Sequence, residues 1–177
     1  METQKYEVEI EVTDLLMNRF RDAQLETKTR RADVVNQEIE DKLYILENGN
    51  PYVPSAYIRS AMIEAGKSMQ IAGKKKATYS KVLGATLDIN PACIAIVPNK
   101  YEAFRISAVN PMTRGRMMVT RPLFKKANLS FSLIVPEEIP KIKINEILVE
   151  AGQSVGIGDW RPQKKGRYGK FIIKKFV

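Results

Sequence analysis

The residues best suited to ligand chemistry are concentrated near the C-terminal end of the sequence. Residues 156–171 read GIGDWRPQKKGRYGKF, with four glycines, five lysine or arginine residues and the single tryptophan of the chain. Glycine-rich loops can hold phosphates through exposed backbone amides, but they also make plain turns. Cations beside an aromatic ring suit a phosphate-bearing chain of bases. The segment therefore predicts either a nucleic-acid contact or a structural loop.

The phosphate loops of nucleotide-binding enzymes do not match this segment. The Gly-Lys pair at 169–170 is followed by Phe171, and Lys164 stands where a P-loop has its first glycine. Arg161 stands where the dinucleotide fingerprint has its third glycine. Both of those loops lead from a strand into a helix, whereas this one lies between a predicted helix and a predicted strand. A nucleoside-triphosphate pocket is excluded.

Several catalytic classes are excluded by composition. The chain has no histidine and one cysteine, so it can hold no Ser-His-Asp or Cys-His relay and no His- or Cys-rich metal site. The aspartates occur singly along the sequence, at Asp14, Asp22, Asp33, Asp41, Asp88 and Asp159. We therefore predict no catalysis, no cofactor and no metal.

Positive charge is concentrated in three segments. Residues 67–81 hold five lysines and no acid, residues 112–126 hold five cations and no acid, and residues 156–177 have a net charge of +6. Together they carry +16, against +9 for the whole chain, so the rest is net −7. Each run could be a solvated face, but three such runs indicate binding to a polyanion. None makes the basic amphipathic helix typical of membrane binding, so no membrane partner is predicted.

Hydrophobic periodicity predicts the elements that must position these residues. Residues 6–12 alternate strictly, as do residues 129–135, and Ile144, Ile147, Leu148 and Ala151 have helical spacing that ends at Gly152. The predicted strands are 6–12, 103–109, 128–135 and 170–177, and the predicted helices are 55–69 and 143–152. This βαββαβ order predicts an α+β, ferredoxin-like (RRM-like) fold in a single domain, residues 1–177.

Two β-hairpins are predicted as insertions in that domain. Residues 42–53 would turn at Asn48-Gly49, and residues 109–121 would carry a basic tip, with a second strand at 116–121. Residues 73–76 read GKKK and predict a mobile loop.

Three smaller predictions concern single residues and location. Ser55 is expected to cap the first helix, and Cys93, in an apolar run, to be a buried strand thiol. The sequence shows neither a signal peptide nor a membrane-spanning run, so we expect a cytoplasmic protein.

The C-terminal segment resembles the glycine-rich loop of the RAMP superfamily, the repeat-associated RNA-binding proteins of CRISPR systems. Gly156-Ile157-Gly158 precedes a basic stretch with Arg161, Lys164 and Lys165, and then Gly166 and Gly169 follow, between the last helix and the last strand. Residues 5–17 are similar to the family's opening strand, and residues 50–59 to its proline-serine approach to the first helix.

The resemblance implies RNA binding and, as in the backbone subunits of that superfamily, self-association along the strand. The resemblance supports RNA binding better than it supports guide-RNA processing, because the histidine of many RAMP endoribonucleases has no counterpart here. The final glycine pair, Gly166-Arg167-Tyr168-Gly169, is also one residue longer than the usual one. Phage and mobile-element proteins also have a similar loop at their C-terminal end. A phage or mobile-element origin is therefore a further expectation.

The predicted interface is a groove that holds single-stranded RNA, in preference to DNA, through its backbone more than its bases. Its residues are Gly156, Gly158, Trp160, Arg161, Lys164, Lys165, Gly166, Arg167, Tyr168, Gly169, Lys74, Lys75, Lys76, Arg114, Arg116, Arg121, Arg59 and Arg19. Trp160 and Tyr168 are expected to stack on bases, with Trp160 in the core as the alternative. Two other classes stay open: a phage-type single-stranded DNA-binding protein for replication or recombination, and a metal-dependent nuclease.

Overall fold

The computed structural model describes residues 2–19, 39–74, 76–109 and 112–177. Its strands and helices, in chain order, are β1 Thr3–Leu16, β2 Tyr52–Pro54, α1 Ser55–Ala65, α2 Tyr79–Thr86, β3 Asp88–Asn90, β4 Cys93–Ala95, β5 Glu102–Val109, β6 Arg116–Pro136, α3 Lys141–Glu150 and β7 Lys170–Phe176. Short helical turns lie at Gly66–Ser68, Ala151–Val155 and Pro162–Lys164.

The core is an antiparallel sheet with strand order β3-β6-β1-β7. Ile10 of β1 pairs with Leu129 of β6 on one side and with Ile173 of β7 on the other. With α1 between β1 and β3, and α3 between β6 and β7, this is the ferredoxin-like arrangement, so the predicted fold class is confirmed. The prediction for the second core strand was wrong, because β3 occupies that position and residues 103–109 do not.

Successive residues of the central strands point to opposite sides of the sheet. The even-numbered residues of β1 from Tyr6 to Val12 are buried, as are the odd-numbered residues of β6 from Leu129 to Val135. They form one core with apolar residues of α1 and α3. Both helices therefore cover the same side, and no helix in the described ranges covers the other side, which we call the open face.

β6 is a single strand of 21 residues where the sequence predicted two. Its C-terminal part pairs with β1, and its N-terminal part pairs with β5, from Glu102 with Leu123 to Val109 with Arg116. Pro122 has no N–H to donate, but its carbonyl accepts from the N–H of Met17 at 3.0 Å, so the strand continues through it. The predicted hairpin thus continues the core sheet, and positions 110 and 111 of its tip lie outside the described residues.

The predicted hairpin at residues 42–53 forms in part, with an antiparallel bridge between Ile45 and Pro51. The N–H of Leu46 donates to the carbonyl of Asn50 at 2.9 Å, and Gly49 has a φ of 83°. β2, in the second predicted arm, donates from the N–H of Tyr52 to the carbonyl of Tyr44 at 2.9 Å and also pairs with β4. On β4 the buried side chain is Ile94, whereas Cys93 is exposed, so the prediction of a buried thiol was wrong.

Helix α1 starts without the predicted cap. Pro54 precedes its first turn, Ser55 is its first residue, and no side chain caps it. It ends at Ala65, and a 3-10 turn follows. Helix α2 was not predicted; it begins three residues after the predicted loop at 73–76, and only its first three residues belong to the basic run 67–81.

The last helix does not end at Gly152. α3 leads into a π-helical turn that reaches Val155, and Gly156, with a φ of 70°, terminates it. A Cβ atom on Gly152 would lie 2.2 Å from the carbonyl oxygen of Phe171. This glycine therefore lets the turn pack against β7.

Candidate functional site

The glycine-rich loop, residues 156–169, is fixed to the end of β1. The N–H of Ile157 donates to the carbonyl of Gly169 at 2.9 Å, so the two arms of the loop run side by side. The N–H of Asp159 donates to the carbonyl of Leu16 on β1 at 2.7 Å. The central strand of the sheet therefore holds the loop in place.

The four glycines of the loop are required by its own packing. A Cβ atom on Gly166 or Gly169 would lie 1.7 or 1.8 Å from a backbone carbonyl oxygen of the opposite arm. On Gly156 or Gly158 it would lie 2.6 Å from its nearest neighbour, and both residues have positive φ. These contacts lie within the chain itself, and the prediction that the glycines also let a partner approach stays a prediction.

The two aromatic residues of the loop pack inward. Tyr168 is 7% exposed and contacts Leu16 and Leu123, with its ring 5.8 Å from that of Phe104. Trp160 is partly buried against the same cluster, 6.5 Å from the ring of Tyr168. Base stacking does not fit the burial of Tyr168, and the contacts of Trp160 favour its core-packing alternative.

A cleft of about 380 Å³ lies between the glycine-rich loop and α1. One wall consists of residues 155–159 with Arg161 and Gln163, and the rest of the lining consists of Asn18, Tyr57, Ser60, Ala61 and Glu64. The volume is in the range of small-molecule sites, about 300–1,000 Å³. The four α1 positions have i, i+3, i+4 and i+7 spacing, which places them on one face of the helix. This spacing is visible in the sequence, but these residues were not predicted as part of the site.

Two hydrogen bonds hold the Arg161 side chain in the cleft lining. Its Nη1 donates to the carbonyl of Gly158 at 3.1 Å, and its Nε donates to Oε1 of Gln163 at 3.1 Å. Guanidinium has five N–H groups, so three remain for a ligand. Among the described residues no carboxylate forms an ion pair with Arg161.

Arg121, another predicted phosphate contact, is already neutralised. Its Nε lies 3.3 Å from Oδ2 of Asp159, and both side chains are largely buried. The other carboxylate oxygen of Asp159 accepts from the N–H of Trp160 at 3.0 Å. This ion pair joins the base of the β5–β6 hairpin to the glycine-rich loop.

Three cations of the loop that forms one wall of the cleft are exposed, and we call them the cationic rim: Lys164, Lys165 and Arg167. The 3-10 turn at Pro162–Lys164 and the left-handed conformation of Lys165, with a φ of 61°, place them on the outer bend of the loop. In the part of the chain that the structure describes, none of the three forms an ion pair with a carboxylate.

The remaining predicted cations lie away from the cleft lining. Lys74 and Lys76 are exposed on the turn before α2, and Lys75 lies outside the described residues. Arg114 and Arg116 are exposed at the far end of the β5–β6 hairpin.

Arg59 has a structural position. Its Nε donates to the carbonyl of Leu87 at 3.1 Å, and its Nη2 donates to that of Gly84 at 2.6 Å. These bonds join α1 to the end of α2, so we do not carry Arg59 forward as a ligand contact.

Arg19 belongs to an aromatic group next to the cleft. Its guanidinium lies 5.6 Å from the ring centre of Tyr44, whose hydroxyl is 3.3 Å from that of Tyr57. Burial, and then the hydrogen bond with Tyr44, raise the pKa of the Tyr57 phenol. Tyr57 therefore presents a neutral ring to the cleft.

The open face of the sheet differs from the cleft. Glu7, Glu9 and Glu11 alternate along β1 on this side, opposite Ser132, Ser130 and Asn128 of β6, and none of these six residues is aromatic. Hydrogen bonds, first from Lys5 and then from Ser132, hold the pKa of the Glu7 carboxyl below its usual value. The bases that RRM domains stack on such a face would find no ring on these positions.

Within the described ranges, no three His, Cys, Asp or Glu side chains come together as a metal site. The helices in those ranges include none long and apolar enough to cross a membrane.

Similarity to known proteins is found in the structure and not in the sequence. No protein-family model matches the sequence, and no curated protein matches it. One similar solved chain belongs to a type III-B Cmr-β complex bound to cognate target RNA, with a TM-score of 0.59 and 12% identity, covering 99% of this chain. The present chain spans 60% of that chain's length.

A second similar chain belongs to a type IV-B CRISPR complex. Its TM-score is 0.53 and its identity 10%, and the match covers 98% of this chain and 90% of the other. At these identities the matches show a shared fold. Neither description supports the expected phage origin.

Proposed function

We propose that the protein binds single-stranded RNA without cleaving it, as a component of a ribonucleoprotein assembly. The observation that carries the proposal is a cleft of about 380 Å³ with Arg161 in its wall, formed by the same loop that carries the exposed cationic rim. The ferredoxin-like scaffold supports it, because one structural neighbour is part of a complex bound to target RNA.

The phosphate contacts are assigned to Arg161 and the cationic rim. A cation binds phosphate most strongly when no carboxylate competes for it, and these four residues form no ion pair within the described chain. Arg121 is paired with Asp159 at 3.3 Å and is therefore not assigned. The exposed cations at the hairpin tip and before α2 extend the same positive field.

Two of the aspartates that a metal-dependent nuclease could use are engaged with cations. Asp159 pairs with Arg121, and Asp14 lies 3.6 Å from Nζ of Lys125, which also pairs with Glu102 at 3.3 Å. Carboxylates so engaged are poor ligands for a hard divalent ion. The proposed activity is therefore binding alone.

Preference for RNA over DNA, and self-association along the strand, belong to the same proposal. Fluorescence anisotropy of labelled single-stranded RNA, DNA of the same sequence and duplex RNA tests it, with and without Mg²⁺ or Mn²⁺. We expect the single-stranded RNA to bind most tightly, remain intact, and support more than one copy as its length grows.

Other outcomes have definite meanings. Tighter binding of the DNA strand would favour a single-stranded DNA-binding protein, and metal-dependent cleavage would favour the nuclease. If no nucleic acid binds at low salt, where phosphate contacts are strongest, the proposed function fails.

A further inference from the structure

The cleft contains an acid that a groove for phosphates alone would exclude. Glu64 lines it from α1, and its Oε2 pairs with Nζ of Lys67 at 2.6 Å. A carboxylate repels phosphate oxygens at close range, even where water partly screens the charge. The part of a ligand that reaches Glu64 must therefore present hydrogen-bond donors.

The same face of α1 carries a flat apolar surface. Tyr57 lies two helical turns before Glu64, with Ser60 and Ala61 between them, and all four line the cleft. The ring of Tyr57 is fixed by an edge contact with Tyr44, at 6.0 Å between centres and an angle of 87°. A ring held in this way can stack on a planar partner at little cost in conformational entropy.

The opposite wall offers donors. Arg161 keeps three guanidinium N–H groups free of protein acceptors, and Gly158 lines the cleft with an N–H that meets no acceptor in the described part of the chain. One wall thus suits a phosphate, and the other suits an aromatic group with donors at its edge.

We infer that the cleft holds one nucleobase of the bound strand, with its face on the Tyr57 ring, its amino group on Glu64 and the adjoining phosphate on Arg161. This inference deepens the proposed function and depends on it. It names a substrate class that phosphate contacts alone would not distinguish: bases with an exocyclic amino group.

The predicted selectivity follows from the chemistry of a carboxylate, which only accepts hydrogen bonds. The amino group of cytosine can donate to Glu64. Uracil has a carbonyl oxygen at the same ring position, which the carboxylate repels. Hydrogen bonds to charged groups are the stronger kind, so we expect cytosine to be favoured by roughly tenfold.

The test compares oligo-cytidine and oligo-uridine of equal length by anisotropy at pH 8. Equal lengths carry equal phosphate charge, so a difference reports on the bases. The protein should bind oligo-cytidine roughly tenfold more tightly. Glu64→Gln should reduce the ratio to about threefold or less, because a carboxamide can donate to uracil as well as accept from cytosine.

Glu146→Gln is the matched control. Glu146 lies on α3, outside the cleft lining, and pairs with Lys143 three residues away, as Glu64 pairs with Lys67. The control removes the same charge and should keep the full ratio. Tyr57→Leu should weaken both oligonucleotides, because stacking needs the aromatic ring.

Equal binding of the two oligonucleotides by the unchanged protein would overturn the inference while leaving RNA binding intact. A ratio that survives Glu64→Gln would also overturn it. The inference would also fail if the protein bound the two oligonucleotides equally, preferred RNA to DNA, and lost that preference in Glu64→Gln. Glu64 would then contact the ribose hydroxyl. Loss of all binding by the unchanged protein would instead refute the proposed function, and melting curves of each variant identify unfolding.

Discussion

The open face of the sheet and the cationic rim are both rich in charge, but only the open face is internally compensated. On the open face, Glu11 accepts ion pairs from Lys126 at 2.9 Å and Lys174 at 3.3 Å. The lysines and arginine of the rim have no such partner in the described chain. A count of charge along the sequence therefore overstates the basic surface, because it ignores which cations are already neutralised.

The run at residues 112–126 shows this most clearly. Three of its five cations are paired in the folded protein: Arg121 with Asp159, Lys125 with Asp14 and Glu102, and Lys126 with Glu11. Their partners come from distant parts of the sequence. The run at residues 156–177 keeps more of its charge available, because three of its cations lie on the outer bend of the glycine-rich loop.

The largest expected effect is on the scaffold of the rim. Gly169→Ala places a Cβ atom 1.8 Å from the carbonyl oxygen of Ile157, at a φ of 71°. The loop cannot keep its two arms paired, so we expect the melting temperature to fall by roughly 10 °C or more, or the protein to become insoluble. Thermal melting followed by circular dichroism measures this.

Gly49→Ala is the control for Gly169→Ala. Gly49 has a similar φ of 83°, but an added Cβ atom would meet nothing within 4 Å. It should show only the cost of positive φ, about 1–2 kcal/mol, which is a fall of roughly 2–8 °C. Equal falls for the two variants would mean that backbone conformation, and not the contact between the arms, determines the effect.

The second prediction compares the two surfaces directly. Changing Lys164, Lys165 and Arg167 together to Ala should weaken binding of single-stranded RNA by roughly tenfold or more at low salt. The slope of log affinity against log salt should become shallower by about 0.7 for each phosphate contact that is lost. Anisotropy titrations at several salt concentrations measure both quantities.

The matched variant changes Lys5, Lys174 and Lys175 to Ala, which removes the same charge from β1 and β7. Lys5 and Lys174 are paired with Glu7 and Glu11, so this variant should alter the affinity and the slope much less. If both variants weaken binding equally, the interaction depends on net charge and the rim has no special role.

The smallest expected effect concerns the open face. Hydrogen bonds, first from Lys126 and then from Lys174, hold the pKa of the Glu11 carboxyl below its ordinary value, although burial opposes this. The folded state therefore binds fewer protons than the unfolded state near that pKa, and the stabilisation is present above about pH 4.3 and lost as the pH falls through the lowered value. Glu11→Gln should lower the melting temperature at pH 7 by no more than roughly 3 °C.

The pH dependence identifies the source of that effect. The difference between Glu11→Gln and the unchanged protein should vanish in melts at pH values below the lowered pKa, where the carboxyl is protonated in both states. A difference that persists there would point to packing of the side chain. RNA affinity at pH 7 should not change.

Local periodicity predicted much of the fold. Alternation in β1 and in the second half of β6, and helical spacing in α3, are properties of a few neighbouring residues, and the structure confirms all three. β3 was not predicted, because a strand of three residues is too short to show a detectable alternation of apolar and polar residues. Its assignment depends on pairing with β6, which lies more than 40 residues later in the chain.

The candidate site was predicted only in part. The sequence located the glycine-rich loop and its cations, because unusual composition is visible without a structure. The cleft's other wall, with Tyr57, Ser60 and Glu64, was missed, since these residues acquire their meaning only when α1 packs beside the loop.

The sequence by itself determined the core elements other than β3, the place of the loop between the last helix and the last strand, and the lack of histidine chemistry. Only the tertiary structure decided how those features are used. It showed that the glycines are needed for close contacts within the chain, and it paired Arg121 with Asp159 while leaving the rim without carboxylate partners in the described chain. The physical reason is that steric fit and ion pairing depend on distances between residues far apart in the chain, which composition and periodicity do not encode.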